Sequence, residues 1–239
     1  MKKFFIATAA VAAFAGVAFA DGHIVRMGTE GAYEPWNYLD ENGEVAGFER
    51  VLGDELCARA GLECVWVTNE WDSIIPNLVA GNYDTIIAGM SITAERDEVI
   101  DFTSEYYPND ASLFASSNGE IGSVVAAQAN TIQAGYIAAT DGLTLLEFAT
   151  ADETIAAVTN GEADSVLADG SYINEMIAGG AAMEVAGSVI IGGGVGMGVR
   201  ETDAELKATF NEAIASMKAD GSLNALLAEW FPDLEFAGY

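Results

Sequence analysis

Two stretches of the sequence, LVAGNYDTIIAG at 78–89 and AVTNGEADSVLADG at 157–170, are built on one frame. Each runs from a helix end through a glycine and two further residues to an aspartate. A hydroxyl residue, two aliphatic residues and an alanine follow. Gly81 matches Gly161, Asp84 matches Asp164, Thr85 matches Ser165 and Ala88 matches Ala168. A chain that repeats a helix-to-strand frame in this way is expected to hold two similar α/β lobes. Gly89 and Asp169 then take equivalent places just beyond the carboxyl end of a strand, where open α/β sheets bind ligands.

The segments between the two frames agree. HIVRMGT (23–29), ECVWVT (63–68) and YDTIIAGM (83–90) have the apolar, β-branched character of buried strands, as do VVAAQA (124–129), TLLEFA (144–149) and DSVLAD (164–169). Phe48, Val51, Leu52 and Leu56 recur at helical spacing, and so do Trp71, Ile74, Ile75, Leu78 and Val79. Pro76 is compatible with the second helix only in its first turns. Thr150 and Glu153 make a capping box that opens a helix closed by Gly161. GGGVGMGVR (192–200) fits no G-x-G-x-x-G frame, so a nucleotide site is rejected and the stretch reads as a Gly-rich strand returning between lobes. ETDAELKATFNEAIASMKADGSLNALLAEWF gives two amphipathic helices broken at Asp220-Gly221. Strands alternating with helices imply an α/β fold with mainly parallel sheet.

The chain opens MKKFFIATAAVAAFAGVAFA, with Lys2 and Lys3 before an apolar run and Ala18-Phe19-Ala20 ahead of Asp21. That is the pattern of a signal peptide over residues 1–20, and it predicts export to the periplasm. With 37 acidic residues against nine lysines and arginines, the formal net charge is −28. Such a charge opposes binding to nucleic acid or to an anionic membrane surface. Cys57 and Cys64 are the two cysteines. In an exported protein their spacing reads as a disulfide, with a reactive thiol as the alternative. The single histidine, His23, leaves no Ser-His-Asp arrangement and no Cys/His set for zinc, so neither a metal nor a cofactor is expected.

GTEGAYEPWNYLDENGEVAGFE, ELCARAGLEC, WDSIIPNLVAGNYDTIIAGMSITAERDEVIDFT, QANTIQAGY, LADG, VGMGVR and the closing KADGS…EWF together resemble the polar amino-acid-binding proteins of bacterial ABC importers. The subgroup is that of the lysine/arginine/ornithine and histidine binders and their glutamine-binding relatives. The resemblance spans nearly all of 24–235 and is most specific in SIT-x-x-R. It implies a two-lobed periplasmic binding protein fold of type II, hinged by two crossing strands and closing on its ligand as a clamp. Residues 21–110 and 200–239 would form the first lobe, and 111–199 the second with the returning hinge strand.

The resemblance also assigns roles. Arg96, with Ser91 beside it, falls on the arginine that takes the ligand α-carboxylate. Thr131 and the backbone N–H groups of Ile132 and Gln133 fall on second-lobe donors to the same carboxylate. Asp169 falls on the acid that holds the α-ammonium, helped by the carbonyl of Gly89. Glu30, Tyr33 and Trp71 fall on the side-chain pocket. Three departures stand out. Gly89 and Ala88 replace serines of some members, Asn130 replaces a glycine, and Glu30 replaces an aspartate of several members and so shortens the pocket by a methylene.

Between Ala111 and Val199 there is no lysine or arginine, against ten acids. The second lobe therefore offers N–H groups and Asp169, and the cation for a zwitterion must come from the first lobe as Arg96. The bland reading of Arg96 is pairing with Asp97, Glu98 or Asp101. Tyr33 and Trp71 otherwise read as core aromatics. Beside Glu30 they would sandwich a long cationic side chain, with Trp36 widening or capping the pocket. The expected function is capture of a cationic amino acid for an ABC permease by a monomer. Glutamine or an opine-like derivative is the alternative ligand. An amino-acid-precursor dehydratase on the same scaffold is the alternative activity. A receptor's sensing domain is disfavoured because no membrane or signalling segment follows before Tyr239.

Overall fold

The computed structural model describes residues 24–239. The leader expected at 1–20 and His23 lie outside the described residues. The chain first forms β1 (Val25–Thr29), β2 (Ala32–Tyr33), β3 (Asn37–Leu39), β4 (Val45–Ala46), α1 (Phe48–Ala60) and β5 (Cys64–Thr68). A 3-10 turn at Trp71–Ser73, α2 (Ile74–Val79), β6 (Thr85–Ile86), α3 (Ala94–Asp97) and β7 (Asp101–Phe102) follow. The middle holds β8 (Ala111–Ser116), β9 (Val124–Gln128), α4 (Ile132–Ala139), β10 (Thr144–Phe148), α5 (Ala151–Thr159), β11 (Ser165–Asp169), α6 (Gly170–Ala178) and β12 (Glu184–Ile190). The chain then adds β13 (Gly198–Val199), α7 (Ala204–Asp220) and α8 (Ser222–Trp230).

Two five-stranded sheets result, ordered β5-β1-β6-β13-β7 and β10-β9-β11-β8-β12. They correspond strand for strand. In each, three parallel strands are followed by an antiparallel fourth and a fifth antiparallel to the fourth. The shared sequence frame has a structural cause. The Asp84 N–H donates to the Arg26 carbonyl at 2.9 Å, and its carboxylate accepts the Arg26 N–H at 3.0 Å. Asp164 repeats both bonds with Val124, each at 2.8 Å. Gly81 and Gly161, at φ 80° and 77°, turn the chain out of the preceding helix. In each lobe the aspartate thus pins its strand to the neighbouring parallel strand.

Helix α1 buries Phe48, Leu52 and Leu56 completely, while Val51 stays exposed on the outer side. Each buried side chain contributes roughly 1.5–3 kcal/mol. The thiols of Cys57 and Cys64 are joined, tying the end of α1 to the start of β5. The capping box at Thr150 and Glu153 forms, and Gly221, left-handed at φ 78°, separates α7 from α8.

The chain crosses between the sheets twice, and the crossings meet where Tyr107 and Val195 pair antiparallel. The glycine run is needed at this point. A Cβ on Gly194 would lie 2.8 Å from the Tyr107 carbonyl oxygen, and one on Gly193 would lie 2.7 Å from that of Ile92. The returning chain joins the first sheet by Gly198, just ahead of the boundary expected at Val199. YDTIIAGM is strand only at Thr85–Ile86, because the left-handed turn at Gly89 ends the extended run.

Candidate functional site

All ten residues expected at the site line one cleft between the lobes, together with Ala88 and Gln128. The first lobe brings Glu30 from the end of β1, Tyr33 from β2, Trp71 from the 3-10 turn, and Gly89 and Ser91 from the loop after β6. Arg96 stands on the short helix α3, whose N-cap Thr93 accepts the Arg96 N–H at 3.2 Å. The second lobe brings Thr131, Ile132 and Gln133 at the start of α4, and Asp169 at the end of β11. Both sets lie beyond the carboxyl ends of parallel strands.

The Arg96 guanidinium donates to the Ser91 carbonyl at 2.8 Å and across the cleft to the Asn130 carbonyl at 3.3 Å. Its carbon lies 5.4 Å from the centre of the Trp71 ring. Burial lowers the Arg96 pKa, while Asp169 and Glu95 raise it. The Thr131 hydroxyl caps α4 by accepting the Ala134 N–H at 3.2 Å and donates to the Gln128 carbonyl at 2.7 Å. The Ile132 and Gln133 N–H groups lie in the first turn, beyond the reach of any intrahelical carbonyl, and suit an anion.

Asp169 accepts the Tyr33 hydroxyl and the Gln133 amide, each at 2.9 Å. Burial raises its pKa, and those two bonds together with Arg96 pull it back. One face of Tyr33 stacks on Tyr172 with centroids 4.6 Å apart. Tyr33 therefore has only its opposite face to offer to the aromatic sandwich expected from the sequence, while Trp71 lines the same cleft. Trp36 does not widen the pocket. It is buried among Phe48, Tyr107 and Phe231, and its indole donates to the Ser171 hydroxyl at 2.8 Å, so its place is in the core beside the crossings.

Two functional residues escaped the sequence reading. Gln128 ends β9 and donates to Glu30 at 2.7 Å, bridging the lobes. Burial raises Glu30 to about 7 against the Gln128 bond, with Asp72 and Asp152 adding to the rise. Glu49 is fully buried at the start of α1. Its carboxylate accepts the Gly89 N–H at 2.7 Å, the Asn37 amide at 2.7 Å and the Tyr106 hydroxyl. Asn37 in turn accepts the Gly31 N–H at 2.7 Å, so one carboxylate steadies both the Gly89 turn and the turn after Glu30. Burial raises Glu49 to about 7 against these three bonds. The available signal was an acid inside the otherwise apolar inner face that Phe48 and Leu52 define.

Two hinged lobes that present a cation and an anion to one shared cleft define a binding protein for zwitterionic amino acids. The sequence matches the bacterial extracellular solute-binding proteins, family 3, over residues 25–233, and the chain belongs to that family. It is 31% identical over 226 residues to the lysine/arginine/ornithine-binding periplasmic protein of Escherichia coli (strain K12), with 87% of each chain covered. A periplasmic His/Glu/Gln/Arg/opine family-binding protein from Silicibacter pomeroyi, solved in complex with lysine, superposes with a TM-score of 0.86. It is 59% identical, and the match covers 90% of this chain and all of the other. An ancestral amino acid-binding protein, a precursor of cyclohexadienyl dehydratase, superposes with a TM-score of 0.78 and is 26% identical over 87% of this chain and 95% of its own.

Proposed function

We propose that the protein captures a cationic amino acid in the periplasm and delivers it to an ABC permease. The observation that carries this reading is the placement of Arg96, Asp169 and Glu30 around one cleft. Arg96 and the start of α4 suit the α-carboxylate, because a guanidinium fork and helix N–H groups both favour a bidentate anion. Asp169 suits the α-ammonium. Glu30 lines the same cleft as Tyr33 and Trp71, and the cationic tip of an extended side chain would pair with it. The leader pattern at 1–20 supports export, and a monomer supplies a complete site. Among the described residues lining the cleft there is neither histidine nor lysine, and the role proposed for each acid is to pair with a positive group of the ligand. A carrier role therefore fits better than catalysis.

A calorimetric series of lysine, arginine, ornithine, histidine, glutamine and glutamate tests the reading. Lysine, arginine and ornithine should bind tightest and glutamine next. At a hundredfold excess over Kd the bound ligand should stabilise the fold by about 2.7 kcal/mol. A preference for glutamate or a small aliphatic amino acid would overturn the side-chain assignment.

A further inference from the structure

Asn130 is the one non-glycine residue with positive φ among the described residues, at 57°. Glycine would meet the needs of this turn without strain. What asparagine adds is a side chain, and it reaches across the cleft to donate to Asp72 Oδ1 at 3.0 Å. The Asn130 carbonyl faces the same way. It accepts Arg96 Nη2 at 3.3 Å and Trp71 Nε1 at 3.4 Å. One second-lobe residue thus holds three first-lobe residues, all at the rim of the ligand cleft.

We propose that Asn130 is a positioning residue and a closure latch. Its carbonyl sets the Arg96 guanidinium and the Trp71 indole for the ligand, and its amide fastens the lobes through Asp72. The second half of this proposal rests on the two-lobed clamp, and the first half on the proposed role of Arg96. Because the Asp72 bond does not involve the ligand side chain, the latch strengthens every ligand by the same factor. It acts on release, since it forms only as the lobes meet. The effect is modest, because Asp72 is exposed and an exposed charged contact is screened by water.

Asn130→Gly keeps the left-handed turn and the carbonyl and removes only the amide. Asp72→Ala removes its acceptor. With lysine and glutamine as probes, each variant should raise Kd by about three- to fivefold through faster release, with unchanged association. The double variant should be no weaker than either single one. Equal Kd values for Asn130→Gly and the native protein, additive losses in the double variant, or a lysine-to-glutamine ratio changed by Asn130→Gly, which leaves the charge of Asp72 near Glu30 in place, would each overturn the latch. Spin labels at Val79→Cys and Asn160→Cys, both exposed and one on each lobe, read closure in protein stripped of ligand. Asn130→Gly should lower the closed fraction. If the native protein binds neither probe while that fraction still falls, the latch stands and the ligand reading fails. If the native protein binds lysine and Asn130→Gly matches it in both Kd and closed fraction, the latch fails and the ligand reading stands.

Discussion

Glu30 carries a proton in the free protein over more of the pH range than an ordinary glutamate, because burial disfavours its charged form and raises it to about 7. A cationic ligand tip favours the ionised form, so binding should expel that proton. The sign follows directly. Affinity for lysine should weaken as pH falls through about 7, approaching tenfold per unit below it, and Glu30→Gln should flatten the profile. Glutamine should show a much shallower dependence. Calorimetry of both ligands between pH 5 and 8 checks this, and a lysine profile unchanged by Glu30→Gln would refute it. Arg96→Ala should cost about 2–5 kcal/mol of binding with the fold intact, since no other cation lines the cleft among the described residues. Near-native affinity in that variant would remove Arg96 from the ligand.

At the scale of elements, α1 links core to site. Its apolar stripe was legible because Phe48, Leu52 and Leu56 recur on one face. Glu49 was not, because a buried acid leaves no periodic trace and its meaning depends on Asn37, Tyr106 and Gly89 arriving from elsewhere. Glu49→Ala should destabilise the fold by about 2–5 kcal/mol, as three donors lose a buried acceptor. Urea unfolding measures this, and a loss below 0.5 kcal/mol would show that the network carries little. Two strands of the second sheet also escaped the sequence reading. β8 is rich in small alanines and serines, and the edge strand β12 is largely exposed, so neither has a clear apolar alternation. The repeated frame was legible because its aspartates do the same bonding in each sheet. The first-lobe partners of Asn130 were not, because the residues meet only across the cleft.

The whole molecule has opposing titrations. Asp84 is pushed up by burial, but bonds from Arg26 and Arg200 outweigh this and hold it at about 2. Its contribution is present above the ordinary carboxylate range and is lost as pH falls through about 2. Glu30 and Glu49 act in the opposite sense. Raised to about 7, they contribute stability that is full below their unfolded values near 4.5 and is lost as pH rises through about 7. The net charge of −28 adds self-repulsion on the same side. Thermal unfolding of protein free of ligand should therefore peak near pH 4–5, and a maximum above pH 7.5 would contradict the assignment.

The position of β13 has a consequence for how the chain can assemble. The second sheet is complete once Ile190 is available, because all five of its strands lie within 111–190. The first sheet is not, since β7 joins it only through β13, and the Thr85–Gly198 bond spans 113 residues. Closing so long a loop before its contacts form is entropically slow. Pulse-labelled hydrogen exchange during refolding should protect the amides of β8 to β12 before those of β6, β7 and β13. Simultaneous protection of both sheets would show that the two lobes fold as one unit.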